Sequence, residues 1–507
     1  MTIELVKTLK NDVGIALFLY EGERLERHSF WSFLPKIDQG YLKSLTEKLV
    51  IKNRTHVLLL PSGRRAIIIG QVKRNAMSHR KAFLFVRQVV QTAKREGIKN
   101  IAIDSEDFEI GHEKWKPENV LEFIAIQAEL ANFDFTSYKE VPPEGFPRVE
   151  KLYVFREKVS ANLLAALKRG KVIGEEINKA RALSNTPGGD MTPAILAKAA
   201  VDSGKESGFT VKILEEPAIR KLGMGGVLGV ARGSSEKPRF IVMEYMKGKK
   251  KEKPVVLVGK GVTFDTGGLN LKPSNSIYEM HMDMSGGAAV IHTIATLARL
   301  KVKKNIVGLV PAVENMPSGS SYHPGDVLKT MSGKTIEVMD TDAEGRVILA
   351  DGLAYAQKFY DPKLIIDIAT LTGAASVALG SRASAIFVTD PKLEGPFRRI
   401  AEETGDFVWP LPLWEEYEEE IKGTFGDVAN VGKTRYGGAI TAAVFLWQFV
   451  KGPSTGSFDS AQDKSGQVPK WIHLDIAPRM TTIDGEFLAK GAAGASINLL
   501  TRFLSKF

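Results

Sequence analysis

From its first residues the chain alternates short, continuous apolar runs with segments of helical periodicity, and this alternation limits the possible folds more than any other feature. Val13 to Tyr20, His56 to Leu60, Ala66 to Ile69 and Ile101 to Ile103 read as strands, with a helix over Arg80 to Glu96 between the last two. The rhythm returns more strongly later. Strands are predicted at Pro254 to Val258, Asn305 to Val313 and Leu364 to Ala369, and helices at Gly286 to Leu300 and Gly345 to Phe359. Strands that are apolar along their whole length are buried on both faces, so the fold class is α/β, with a mostly parallel central sheet flanked by helices.

At 507 residues the chain exceeds what one hydrophobic core usually organises. A smaller N-terminal α/β domain is expected over residues 1–155. A Pro- and Gly-dense stretch at 138–149 marks its end. A connecting helix over 156–184 follows from the periodic pattern between Ser160 and Leu183, stopped by Asn185-Thr186-Pro187-Gly188-Gly189. The larger C-terminal domain takes 185–507. Within it, residues 453–470 are rich in Ser, Gly, Gln and Asp and read as an inserted loop.

Cysteine is absent, which removes disulfides, thiolate ligands and a cysteine nucleophile together. The N-terminus carries acidic residues where a signal peptide needs a basic and then an apolar region. No window reaches the roughly 18 apolar residues of a membrane span; Leu364 to Gly380 comes nearest but contains Asp367. A cytoplasmic location without membrane contact is expected. The net charge of +10 is uneven: residues 51–100 hold 12 Lys and Arg against one acid, and 101–150 hold 4 against 12. Such a basic block is either a set of solvated faces or a DNA contact through Arg64, Arg65, Lys73 and Arg74.

The histidines form no HExxH pair, and GxSxG and Walker motifs are absent, so hydrolytic chemistry here has to rest on carboxylates. They occur in three clusters. Lys260 and Asp265 follow a buried strand directly and should emerge at the carboxyl edge of the sheet, where α/β proteins bind ligands. Asp283 precedes the small-residue run Ser285-Gly286-Gly287-Ala288-Ala289. Asp340, Asp342 and Glu344 lie between a strand ending near Met339 and the helix from Gly345. Any one of these acids alone reads as a helix cap or a turn residue. Together they repel and call for cations, and two divalent ions roughly 3.5–4 Å apart would satisfy them. Lysine ligates only as the neutral amine, which nearby dications favour. Arg346, at a helix start, offers an anion pocket.

The segments GKGVTFDTGGLNLKP, HMDMSGGAAV and DTDAEGRVILADGL resemble the three metal-site blocks of the leucyl aminopeptidase (cytosol aminopeptidase) family, in the same order. NTPGGDMTP, VENMPSG, ATLTGA, NVGKTRYGGAITAAVFL and HLDIA are further matches, and the similarity covers about residues 165–507. The resemblance implies a two-metal aminopeptidase acting on peptide N-termini, leucine and other mainly apolar residues first. By position it implies that Lys260, Asp265, Asp283 and Glu344 hold the tighter ion, and Asp265, Asp342 and Glu344 the more exchangeable one. Lys272 would polarise the scissile carbonyl, and Arg346 would hold a bicarbonate acting as base on a metal-bridging water. Met280 would line the pocket for the first side chain, and Thr370, Leu371, Thr372 and Gly373 the cleft. Manganese or zinc is expected ahead of magnesium or cobalt, in a homohexamer.

Four departures from the family pattern stand out: Asp340 where Asn is usual, Val347 where Leu is usual, Gly188-Gly189-Asp190 where a Pro-Asn-Glu type of run is more common, and the longer 453–470 loop. Asp340 would add a carboxylate beside the metal loop. The competing readings are a DNA-binding role added to the peptidase, a catalytically silent binding protein on the same fold, and a metal-dependent phosphoesterase.

Overall fold

The structure, a computed structural model, describes residues 1–46, 54–70, 73, 76–108, 115–450 and 468–507. It divides into two compact units, Met1–Asn178 with Ile483–Lys490, and Lys179–Thr482 with Gly491–Phe507.

The first unit is built on six strands: β1 (Thr2–Val6), β2 (Gly14–Leu19), β3 (Thr55–Leu59), β4 (Arg65–Gly70), β5 (Asn100–Asp104) and β6 (Lys151–Phe155). Their order is β1-β6-β5-β2-β4-β3, with only β3 and β4 antiparallel. Alternate side chains of the buried strands feed two cores. Phe18, Ile67, Ile69, Ile101 and Ile103 pack with the helices α2 (His79–Arg95) and α3 (Pro117–Asn132). Ile15, Leu17, Ile68 and Ala102 pack with Phe30, Leu34 and Leu42, the last of these on α1 (Lys36–Thr46). Both faces of the sheet are therefore covered, which is why its strands read as unbroken apolar runs. The Ser78 hydroxyl caps α2 by accepting from the Lys81 N–H at 3.4 Å. The periodic pattern after Ser160 forms α4 (Ala161–Asn185).

In the second unit, α5 (Pro193–Ser207), β7 (Thr210–Glu215), α6 (Glu216–Lys221), α7 (Gly225–Ala231) and β8 (Arg239–Met246) come first. Next are β9 (Val255–Gly259), β10 (Gly261–Asp265), α8 (Ser274–Ile277), α9 (Ser285–Arg299), β11 (Asn305–Asn315), β12 (Val327–Lys329) and β13 (Thr335–Glu337). α10 (Glu344–Tyr360), β14 (Leu364–Ala369), α11 (Gly373–Leu379), β15 (Ser384–Val388) and α12 (Pro391–Thr404) continue the alternation. The chain ends with β16 (Val408–Pro410), β17 (Val428–Ala429), α13 (Gly438–Trp447), β18 (Lys470–Asp475) and α14 (Ile497–Lys506).

The main sheet runs β16-β15-β18-β14-β9-β11-β8-β7, and β18, β14, β9 and β11 at its centre are parallel. Neighbouring residues of these strands point to opposite faces. A Cβ on Gly308 would meet Ile294 and Val290 of α9, whereas Val258 meets Gly352 of α10. The two long helices thus cover opposite faces of the same strands, and the loops before them converge on one edge of the sheet. Among the described residues, no helix is long and apolar enough to cross a membrane.

Candidate metal centre

β9 and β10 run in succession beside β11. β9 pairs with Ile306–Leu309 and β10 with Ala312–Asn315, and Lys260 sits at the break between them. Its backbone stays paired there: its N–H donates to the Ile368 carbonyl at 3.0 Å, and its carbonyl accepts from the Gly287 N–H at 2.8 Å. This close approach explains the small residues that open α9. A Cβ on Gly286 would lie 2.1 Å from the Ile368 oxygen. Gly345 is required for a parallel reason, since a Cβ there would lie 2.6 Å from Lys260 Cε.

The side chains expected at the site come together at the carboxyl ends of β9, β10, β11 and β14. Lys260 Nζ lies 2.7 Å from both Asp283 Oδ2 and Glu344 Oε1, and donates to the Thr370 carbonyl at 3.0 Å. Lys272 Nζ lies 2.9 Å from Asp265 Oδ2 and also pairs with Asp342 Oδ1. Asp265, Asp342 and Glu344 each offer one carboxylate oxygen, all within 4.8 Å of one another. Asp283 is fixed by the Thr370 hydroxyl, which donates to its Oδ1 at 2.6 Å. Asp342 is the most exposed of the four acids.

Two ammonium groups stand against four carboxylates, and the electrostatics follow. Burial opposes charge on Lys260, but Asp283, Glu344 and Asp265 outweigh it and hold the ammonium above the usual lysine range. Lys272 is likewise raised: Asp265, Glu344 and Asp342 outweigh burial. Burial, then the charges of Asp265 and Glu344, pushes the Asp342 carboxyl up to about 7. Burial and Glu344 raise Asp265, and burial raises Asp283 well above the usual carboxylate range. Burial also opposes charge on Glu344, but the two lysines outweigh it and hold this carboxyl low.

Arg346, in the first turn of α10, is buried and donates from one terminal nitrogen to the Asn430 carbonyl at 2.8 Å, while its Nε has no described partner. Burial lowers its pKa to about 10. Met280 is half-buried in a short 3-10 helix just before Asp283. Thr370 and Leu371 follow β14, and Gly373 opens α11 behind the capping Thr372.

Asp340 lies beside the metal loop. Its Oδ1 accepts the Asp342 N–H at 2.8 Å, so the carboxylate caps its own loop, a short-range bond of the kind Asn makes equally well. Other supports were not singled out from sequence, although each lies in a quoted motif. Asn430 accepts from the N–H groups of Met339 and Asp340 and donates to the Asp340 carbonyl at 2.6 Å. Asp475, in HLDIA, accepts from the N–H groups of Leu371 and Thr372 and from the Thr372 hydroxyl, which fixes the 370–373 turn.

A second acid–histidine cluster, His28 with Asp104 and Asp107, lies in the N-terminal unit. His28 Nδ1 accepts the Phe30 N–H at 3.1 Å, which puts the ring proton on Nε2, facing Asp107 Oδ2 at 3.1 Å. That ring has no lone pair left for an ion. The basic block also changes meaning. Arg64 is buried and donates to the carbonyls of Asn11 and Lys10, and Lys94 is buried against Asp134 at 2.6 Å. Arg64 is therefore held inside its own unit. Arg74, and positions 453–467 of the inserted loop, lie outside the described residues.

Residues 178–501 match the model of the cytosol aminopeptidase family, catalytic domain. The chain belongs to the cytosol aminopeptidase family. A probable cytosol aminopeptidase of Azoarcus sp. (strain BH72) is 49% identical over 348 residues, 69% of this chain and 65% of that one. One of Methylobacillus flagellatus is 38% identical over 93% of this chain and 92% of the relative. Among solved structures, the bottromycin maturation enzyme BotP in complex with Mn superposes with a TM-score of 0.81 at 27% identity, covering 97% of this chain and 99% of BotP. Membership makes the second unit that of a metal-dependent, peptide-cleaving hydrolase, and the donor set fits divalent ions: clustered carboxylate oxygens with amines and no thiols.

Proposed function

We propose that the protein removes N-terminal residues, leucine and other mainly apolar residues first, from peptides, at a centre of two divalent ions. Lys260, Asp265, Asp283, Asp342 and Glu344 would hold the ions. The observation that carries this reading is the convergence of these five side chains and Lys272 on one sheet edge, with every described lysine–carboxylate distance between them at 2.9 Å or less. Such ions, when bound, act as Lewis acids toward the peptide carbonyl and lower the pKa of water to near neutrality.

The chain's own groups have distinct tasks. Lys272, half-buried and the more exposed of the two lysines, keeps its proton and is the donor for the carbonyl oxygen as negative charge develops on it. Lys260 would hold an ion as the neutral amine, having given up its proton to solvent. The buried guanidinium of Arg346, whose Nε–H has no partner among the described residues, would be the seat for a bicarbonate base. Met280 contacts the first side chain, and the turn pinned by Asp475 presents Thr370, Leu371 and Gly373 to the peptide backbone. Manganese or zinc is the expected metal, and manganese has support from the BotP complex.

A homohexamer in the cytoplasm completes the reading. Phe425 and Tyr436, 82% and 73% exposed on the single chain, would be candidates for the subunit contacts. In the basic N-terminal block, Arg64 and Lys94 are paired inside their own unit, so a DNA contact there would fall to the remaining cations.

The test is hydrolysis of leucyl-p-nitroanilide by metal-stripped protein with manganese or zinc added back. Activity should return with metal, and Asp265→Ala and Lys272→Ala should each lower it at least about a hundredfold. Folded, assembled protein that stays inactive with both metals would sink the proposal.

A further inference from the structure

Asn315, the last residue of β11, is fully buried, and both hydrogens of its side-chain amide are used. Nδ2 donates to Asp265 Oδ1 at 2.8 Å and to the Thr341 carbonyl at 2.9 Å. The first partner is a carboxylate read above as shared between two ions. The second is the peptide joining Thr341 to Asp342. One amide thus ties a ligand at the end of β10 to the loop that carries another.

The surroundings reinforce the link. The Asn315 carbonyl accepts from the Thr266 N–H at 3.0 Å and from the Thr266 hydroxyl at 2.8 Å, which fixes residue 315 to the chain just past Asp265. Asp265 Oδ1 also accepts the Gly267 N–H at 2.9 Å, while Oδ2 is left facing Lys272 at 2.9 Å. The Thr341 carbonyl receives a second bond, from the buried Tyr322 hydroxyl at 2.7 Å. Asn430 braces the same loop at Met339 and Asp340, but its side-chain amide donates to a backbone carbonyl. Asn315 reaches both the loop and a ligand carboxylate.

We propose that Asn315 is a positioning residue of the metal centre. It holds the Asp265 carboxylate by Oδ1 and leaves Oδ2, on the Lys272 side, for an ion, and it sets the spacing between Asp265 and Asp342 before an ion arrives. This rests on the ligand assignments above. Outer partners that orient ligating carboxylates typically contribute about 10- to 100-fold in metal affinity. An amide suits the position because an aspartate would place a second negative charge against Asp265, and an apolar side chain would leave both acceptors one donor short.

The experiment titrates metal-stripped, full-length protein with manganese by calorimetry and follows the thermal unfolding of the same metal-free samples. Asn315→Leu, close in volume but without donors, should weaken manganese binding about 10- to 100-fold. Asn315→Ser keeps one donor, should fall between wild type and Asn315→Leu, and serves as the readout if the leucine variant does not fold. A manganese Kd within twofold of wild type in the folded variants, with only the unfolding temperature lowered, would mean that Asn315 serves the fold alone and would overturn the proposal. Asp342→Ala, run alongside, separates the two levels: if it also leaves the Kd unchanged, the ligand assignment itself fails and takes this inference with it.

Discussion

At the scale of single residues, buried carboxylates organise the second unit even away from the metal centre. Asp351 lies on α10 two turns beyond Glu344, fully buried. It accepts from the N–H groups of Val227 at 2.9 Å and Met331 at 2.8 Å, and so joins the start of α7 and the β12–β13 turn to the helix that carries Glu344 and Arg346. Burial pushes its pKa up to about 7 from an ordinary 3.8, with the N–H bonds opposing. The folded protein therefore holds a proton that the unfolded chain releases. Stability from this group is complete below about pH 4 and is lost as pH rises through about 7. Urea midpoints between pH 4 and 8 should accordingly fall with pH in the wild type, and Asp351→Asn should flatten that slope. Parallel curves for the two proteins would show that the carboxyl does not titrate in this window.

At the scale of elements, the small-residue run at the start of α9 is a packing device. Gly286 lets the helix approach until its backbone touches β14 and the Lys260 peptide. Gly286→Ala should cost about 1–3 kcal/mol in chemical denaturation, because the new methyl overlaps a backbone oxygen that cannot step aside. A variant as stable as wild type would mean that α9 shifts freely. Most of these elements were legible in the sequence. The strand read at Leu364 to Ala369 forms over those residues, and the helix read from Arg80 to Glu96 forms over His79–Arg95. Continuous apolar runs and capping residues are local signals, and they survive without knowledge of neighbours. The break at Lys260 was not legible, since its two flanking strands are defined by their pairing with β11 and not by their own composition.

At the scale of the whole molecule, the open prediction is assembly. Light scattering should give a mass about six times the 55.6 kDa of the chain. Phe425→Asp should lower that mass, because a charge would have to be buried in the contact proposed for this exposed ring. A wild-type monomer that is fully active would remove the hexamer from the reading. The basic block at 51–100 shows the limit of charge counting at this scale. Twelve cations in a row of fifty residues describe a composition, and pairing inside a unit decides which of them a partner can meet.

The sequence by itself determined the α/β class, the order of the main elements, the family and the set of acids and lysines gathered at the centre. These depend on periodicity and on short motifs, which are properties of contiguous residues. Only the tertiary structure decided what each side chain touches. Asp340 turns back to its own loop, Arg64 and His28 are held by partners inside the N-terminal unit, and Asn315 joins Asp265 to the Thr341 peptide. Each outcome depends on which hydrogen-bond partner arrives from a distant part of the chain. A buried donor or acceptor must find such a partner, and a reading of adjacent residues does not contain its identity.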